Sequence, residues 1–240
     1  MFNGDLTSLR IKIFADGADL NGILEMAARP WVAGFTTNPT LMRKAGVVSY
    51  EVFGRTLLEH VGVLPVSLEV FSDDFDEMRR QALKIASWGT NVYVKVPVTN
   101  TRGESSSDLV HALSSDGVKL NVTALMRPEQ VKRVARSLAE GVPAIVSVFA
   151  GRVADTGRDP VSLMRDCLRE IDGLQGVELL WASPREVLNL VQADEIGCHI
   201  ITMTNDLLAK LGTLGRDLDE FSLDTVKMFR SDAEAAGFAL

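Results

Sequence analysis

Eight short, β-rich apolar runs alternate with longer amphipathic stretches along this chain, and few architectures accommodate that pattern. The runs are Ile11–Asp16, Gly34–Thr37, Val66–Val70, Val92–Val96, Lys119–Thr123, Ala144–Phe149, Glu178–Ser183 and His199–Met203. Several are apolar at consecutive positions, which suits parallel strands covered on both faces. Between them, Asp74–Ser87 places Phe75, Met78, Ala82 and Ile85 three and four residues apart, the spacing of one helix face. Pro128–Ala139, Pro160–Ile171 and Pro184–Val191 each begin on proline, which fits a first helical turn. Gly117, Gly141, Gly176 and Gly197 punctuate the returns from helix to strand. Such a chain builds either an open doubly wound sheet or a (β/α)8 TIM barrel. The count of eight, and the lack of a glycine-rich phosphate fingerprint after Ile11–Asp16, predict the barrel. At 240 residues the length matches the roughly 250 of one such unit. A single domain over 1–240 is therefore expected, with 211–240 as a C-terminal helical extension. Ser49–Val61 reads as an extra helix before the third strand, and Asp217–Ala236 as a helix beyond the last barrel unit.

Charge and composition narrow the function. The net charge is −7 and no Lys/Arg run occurs, so neither a nucleic acid nor an anionic membrane is the expected partner. A few local arginines can still make one cleft attractive to a small anion. Cys167 and Cys198 stand apart, without a CxxC or Cys/His cluster, so no zinc site or disulfide framework is predicted. The N-terminal MFNGDLTSLR lacks a signal-peptide pattern, and no apolar run reaches the roughly 18–20 residues that span a bilayer. A cytoplasmic protein is the expectation.

In a barrel, chemistry gathers where strands end and the following loops begin. Those positions hold Asp16, Thr36, Asn38, Glu69, Lys95, Asn121, Thr123, Ser147 with Arg152, Ser183 with Arg185, and Thr202. Lys95 is the most unusual, lying in Val92-Tyr93-Val94-Lys95-Val96-Pro97-Val98 with no acid beside it in sequence. Loss of hydration disfavours a charged amine, and a neutral amine can attack a carbonyl to form an imine. A lysine at a strand end can equally reach solvent or a salt bridge. Asp16 and Glu69 are a carboxyl pair that could divide general-base and relay duties or ligate Mg²⁺, although a central lysine would compete with the cation. Asp16 could instead cap the helix starting near Asp19. Ser183-Pro184-Arg185 joins a hydroxyl, a helix-starting proline and a guanidinium, a set that grips phosphate; Ser183 could also simply cap the helix at Pro184.

Six pieces in order resemble the transaldolase family, particularly its short-chain members. They are Asp16, Thr36-Thr37-Asn38-Pro39-Thr40, Val94-Lys95-Val96-Pro97, Asn121-Val122-Thr123, Ser147-Val148-Phe149-Ala150-Gly151-Arg152 and Ala182-Ser183-Pro184-Arg185. The likeness runs from about Ile11 to Leu211. It implies that Lys95 forms an imine with C2 of a ketose phosphate and that Asp16 takes the C4 hydroxyl proton. It implies that Glu69, with Thr123 and a water, shuttles protons, and that Thr36, Asn38, Asn121 and Ser147 hold the dihydroxyacetone part. Phe149 would line the site, while Arg152, Ser183 and Arg185 would hold the distal phosphate, with no metal and no cofactor. The resemblance also implies a homo-oligomer, a pentamer or decamer, for which the apolar face of Asp217–Ala236 (Phe221, Val226, Phe229) is the candidate contact.

Two positions speak to the reaction within the family. The fructose-6-phosphate aldolase branch carries glutamine where this chain has Glu69 and tyrosine where it has Phe149, so the pattern resembles transfer over release. Three departures touch the mouth: a longer loop at Thr99–Glu104, Pro184 in place of an aromatic, and no proline within Ser147-Val148-Phe149. They leave open a 6-sulfonated ketose in place of a phosphorylated one. A reading from another class is a non-catalytic barrel that binds a sugar phosphate; loss of Lys95 or Asp16 would have marked it, and both are present.

Overall fold

The alternation resolves into eight parallel strands, hydrogen-bonded in sequence order and closed by β1 against β8. This is the expected (β/α)8 TIM barrel, seen in a computed structural model that describes residues 6–238. Met1–Asp5 and the last two residues, Ala239 and Leu240, lie outside the described residues; the ends of the domain expected over 1–240 and half of the N-terminal MFNGDLTSLR therefore do too.

The strands are β1 (Lys12–Asp16), β2 (Val32–Thr36), β3 (Val66–Glu69), β4 (Val92–Pro97), β5 (Leu120–Leu125), β6 (Ala144–Val148), β7 (Val177–Trp181) and β8 (Ile200–Thr204). Each overlaps its predicted run, with shifts of one to two residues at most ends. Between β1 and β4 lie α1 (Leu20–Ala27), α2 (Pro39–Lys44), α3 (Tyr50–His60) and α4 (Phe75–Ala86). The remainder are α5 (Ser107–Ser115), α6 (Pro128–Ser137), α7 (Ala150–Ala154), α8 (Pro160–Glu170), α9 (Leu188–Glu195), α10 (Asn205–Leu208) and α11 (Leu218–Ala235). Proline opens α2, α6 and α8, where its missing N–H costs nothing. Asp74 caps α4 by accepting from the Glu77 N–H, and Met78, Ala82 and Ile85 are its buried face. Gly117, Gly141, Gly176 and Gly197 all take positive φ at the helix-to-strand returns.

One helix start was misplaced by the proline rule. The helix expected over Pro184–Val191 instead runs from Leu188 to Glu195. The Asn189 side chain accepts from the N–H groups of Arg185 and Glu186 at 2.8 and 3.3 Å, holding 184–187 as an irregular loop. Ser183, at φ 62°, is therefore not a helix cap. Asp16 is not a cap either, because Asp19 caps α1 by accepting from the Gly22 N–H.

Helices pack one apolar layer on the outside of the sheet, while a smaller cluster of Phe14, Ile145, Leu180, Ala182 and Ile200 plugs the interior. Gly34 exists for that plug: a Cβ there would lie 2.6–2.8 Å from the Phe14 ring. Both cysteines are buried, and burial pushes their thiols up to about 12, which suits packing and not reactivity. Among the described residues no helix is long and apolar enough to cross a membrane. Helix α11 stands beyond the closed barrel with none of its residues buried.

Candidate active site

Side chains that point inward at the C-terminal strand ends line a cleft of about 600 Å³. All thirteen predicted positions reach it: Asp16, Thr36, Asn38, Glu69, Lys95, Asn121, Thr123, Ser147, Phe149, Arg152, Ser183, Arg185 and Thr202. A depression of about 630 Å³ at the opposite end of the barrel is similar in size, but it gathers no lysine and one carboxylate, Asp172.

The sheet register explains why Lys95 has company that its sequence neighbours do not supply. Lys95 pairs laterally with Glu69 on β3 and with Asn121 on β5, and lateral partners in a parallel sheet share a face. Lys95 Nζ lies 3.6 Å from Glu69 Oε2 and donates to the Thr37 carbonyl at 2.5 Å. Glu69 Oε2 also accepts from the Thr37 hydroxyl at 3.2 Å, while its buried Oε1 has no partner among the described residues. Burial raises the Glu69 pKa against the lowering effect of Lys95 and Thr37, and the nearby Asp16 adds to the rise.

Asp16 faces the same space from β1. Its carboxylate accepts from the Thr36 hydroxyl at 2.7 Å and from the Asn38 amide at 3.2 Å. Thr36 has one proton to give, so its 2.5 Å contact with Thr202 is one in which Thr202 donates. Burial raises the Asp16 pKa, against Lys95, Thr36 and Asn38. Two carboxyls whose ionised forms are disfavoured can donate as well as accept protons closer to neutral pH than exposed acids do.

Below Lys95 a polar chain crosses the barrel. Ser147 donates to Asn121 at 2.6 Å, and Asn121 donates to Ser67 at 2.9 Å. All three are buried, so their orientations are held by one another. Thr123 pairs laterally with Pro97 at the rim. Beyond it β5 changes register and Ala124 adopts φ 66°. Ala124 and Ser183 are the two non-glycine residues with positive φ among the described residues, and both line the cleft. Such backbone costs energy and collects at functional sites.

The far end of the cleft is cationic. A Cβ on Gly151 would fall 1.5 Å from the Ser183 carbonyl oxygen, so only glycine lets the start of α7 sit directly on that loop. Arg152, the next residue, lies over the Phe149 ring at 5.2 Å. Arg185 binds Asp155 through Nε and Nη2 at 2.9 and 2.5 Å, and its Nη1 donates to Ser183 Oγ at 3.0 Å. The same pairing holds the Asp155 carboxyl below its usual range.

Sequence reading missed Thr37, Ser67, Tyr50 and Asp155. Thr37 and Ser67 carry a weak signal, as polar residues at or beside strand ends. Tyr50 and Asp155 carry none, because each acts on a residue that lies 19 or 30 positions away. The loop Thr99–Glu104 does not line the cleft: Thr101 and Arg102 bind Asp73, and Thr99 bridges Ser105. Among the described residues no cluster of three or more His, Cys, Asp or Glu side chains is arranged to hold a metal.

The model of the family described as Transaldolase/Fructose-6-phosphate aldolase matches residues 13–240. A probable transaldolase 2 of Listeria monocytogenes is 34% identical over 205 residues, covering 84% of this chain and 88% of that protein. A probable transaldolase of Methanococcus maripaludis is 33% identical over 203 residues, covering 84% and 89%. Among solved structures, a dihydrodipicolinate synthase from Rhodopseudomonas palustris superposes with a TM-score of 0.59 at 14% identity, over 93% of this chain and 79% of that one. At that identity the likeness speaks to the barrel alone.

Proposed function

The chain belongs to the transaldolase/fructose-6-phosphate aldolase family, and from that premise we propose a class I, Schiff-base transaldolase. It would move a dihydroxyacetone unit from a ketose phosphate, of the fructose 6-phosphate or sedoheptulose 7-phosphate type, to an aldose phosphate. The observation that carries this reading is Lys95 Nζ beside Glu69, in one cleft with Asp16, both acids having raised pKa values.

In this scheme Lys95 Nζ adds to the C2 carbonyl, and loss of water from the carbinolamine leaves a protonated imine. Glu69, with Thr123 and a water, supplies and removes the protons of those steps. Asp16 takes the C4 hydroxyl proton while the C3–C4 bond breaks, and the bonding pair flows into the imine as an enamine. The enamine then attacks the acceptor aldehyde, Asp16 returns its proton, and hydrolysis frees Lys95. Asn38, Thr36, Asn121 and Ser147 would orient the dihydroxyacetone part; Arg152, Ser183 and Arg185 would hold the distal anion. Glu69 and Phe149, both in the cleft, favour transfer over release of free dihydroxyacetone. The substrates are small and diffusible, which fits a cytoplasmic enzyme without nucleic-acid or membrane partners.

Incubation with fructose 6-phosphate followed by borohydride should leave a covalent adduct on Lys95, located by mass spectrometry. No adduct with any ketose phosphate or 6-sulfonated ketose, or one at another lysine, would sink the reading. Turnover with and without erythrose 4-phosphate separates transfer from release. We also take α11 to pack on a second copy of the chain, because Phe221, Val226 and Phe229 are exposed along it. An unchanged assembly in sedimentation after truncation before Asp217 would remove that contact.

A further inference from the structure

The wall between β2 and β3 is held from outside the barrel. The β2–β3 ladder begins regularly, with Phe35 N–H donating to the Pro65 carbonyl at 2.8 Å and Thr37 N–H to the Ser67 carbonyl at 3.3 Å. The next rung of a parallel ladder would run from Glu69 N–H to the Thr37 carbonyl. Glu69 N–H donates instead to the Tyr50 hydroxyl oxygen at 2.6 Å, and the Thr37 carbonyl accepts from Lys95 Nζ at 2.5 Å. The register agrees: β2–β3 pairing stops at Thr36 and Ser67, while β3–β4 continues to Glu69 and Lys95.

Tyr50 is placed for this by packing. It opens α3, stands edge-on to Phe71 at 4.5 Å between ring centroids, and lies 5.8 Å from Trp88. Burial and the neighbouring Glu69 carboxyl push its ionisation up, so the phenol stays neutral.

We propose that Tyr50 is a positioning residue for the reaction: its hydroxyl takes the Glu69 N–H and thereby leaves the Thr37 carbonyl to hold Lys95 Nζ. This role rests on the Schiff-base reading above. Without the hydroxyl, the buried Glu69 N–H is either unpaired or closes onto the Thr37 carbonyl, drawing that acceptor away from Lys95. Both outcomes disturb the lysine–carboxylate pair. Neither touches Arg152, Ser183 or Arg185, which come from the β6 and β7 loops.

Tyr50→Phe removes one oxygen and keeps the ring. Borohydride-quenched single turnovers with fructose 6-phosphate should show adduct formation at Lys95 slowed about 10- to 100-fold, the scale of one buried hydrogen-bonding group left unpaired. The KM should stay within about twofold, since the anion end is intact. Met164→Ala opens the core under α8, away from Tyr50, so it should retain the wild-type adduct rate even if its melting temperature falls. An unslowed Tyr50→Phe, or an equal slowing in Met164→Ala, overturns the role. If Tyr50→Phe does not fold, 3-fluorotyrosine at position 50 weakens the acceptor at nearly constant shape. Slowing of about twofold or more then supports the role, and an unchanged rate overturns it. A wild-type enzyme without any Lys95 adduct would instead overturn the Schiff-base reading, and this role with it.

Discussion

Lys95 and Glu69 expose 12% and 7% of their side chains, whereas Arg185 and its partner Asp155 expose 45% and 51%. The two ends of one cleft are thus built for different physics. At the buried end, desolvation disfavours the ionised forms of Glu69 and Asp16, and each carboxyl depends on a neighbour a few ångströms away. At the arginine end, charge stays in water and is screened by salt, and the proposed distal anion would bind and leave there on each turnover. The buried end should therefore govern the rate of bond making and breaking. The exposed end should govern affinity.

The strongest way to break this division is Lys95→Met, which should leave no borohydride-trapped adduct and only background turnover with the fold intact by circular dichroism. Surviving activity would mean that the buried end is not the reacting one. Asp16→Asn should lower kcat by about 10²- to 10⁴-fold while leaving KM nearly unchanged. It should still form the Lys95 adduct, because Asp16 is assigned to C3–C4 cleavage and not to imine formation. Loss of the adduct in that variant would merge the two proposed roles.

At the exposed end, Arg152→Ala or Arg185→Ala should raise KM for a ketose phosphate about 10- to 100-fold, the scale of one or two charge-assisted hydrogen bonds. Their kcat should move only a few-fold in steady-state assays. A sugar lacking the anionic group should not distinguish either variant from wild type. A dominant fall in kcat would show that the arginines also act on the reacting centre.

The smallest effect is in stability. The folded pKa of Asp16 is raised above 3.8, so the native state binds more protons than the unfolded chain between that value and the raised one. Stability therefore falls as pH rises through this window, opposite to a salt-bridged surface acid. Asp16→Asn removes that slope. Its melting temperature should gain on wild type from acidic toward neutral pH, by about a few degrees for each kcal/mol recovered. A variant that instead loses ground to wild type over that range would contradict the direction of the shift.

Much of the site was legible because a barrel delivers strand ends to one rim. Lys95, Asp16, Glu69 and Asn121 stood out as polar residues ending apolar runs, and all four reach the cleft. Ser183 was legible as a residue but not as a conformation. Its proline neighbour suggested a helix start, while the Asn189 side chain, six positions on, holds the loop open. Asp155 was silent in the sequence, since its partner Arg185 arrives from the next βα loop.

By itself the sequence determined the barrel and the chemical inventory of its rim. Buried parallel strands must be apolar on both faces, and a lysine within one is conspicuous whatever surrounds it. The tertiary structure decided the pairings that give those groups their character. Ladder register set Glu69 and Asn121 on either side of Lys95, and an interrupted β2–β3 ladder gave the Thr37 carbonyl to its amine. Helix α3 brought the Tyr50 hydroxyl to the freed Glu69 N–H. These contacts join residues 19, 26 and 58 positions apart, so they depend on how strands align and helices dock. No local pattern encodes that alignment, because a one-residue change of register would keep the same hydrophobic runs and turn every inward group outward.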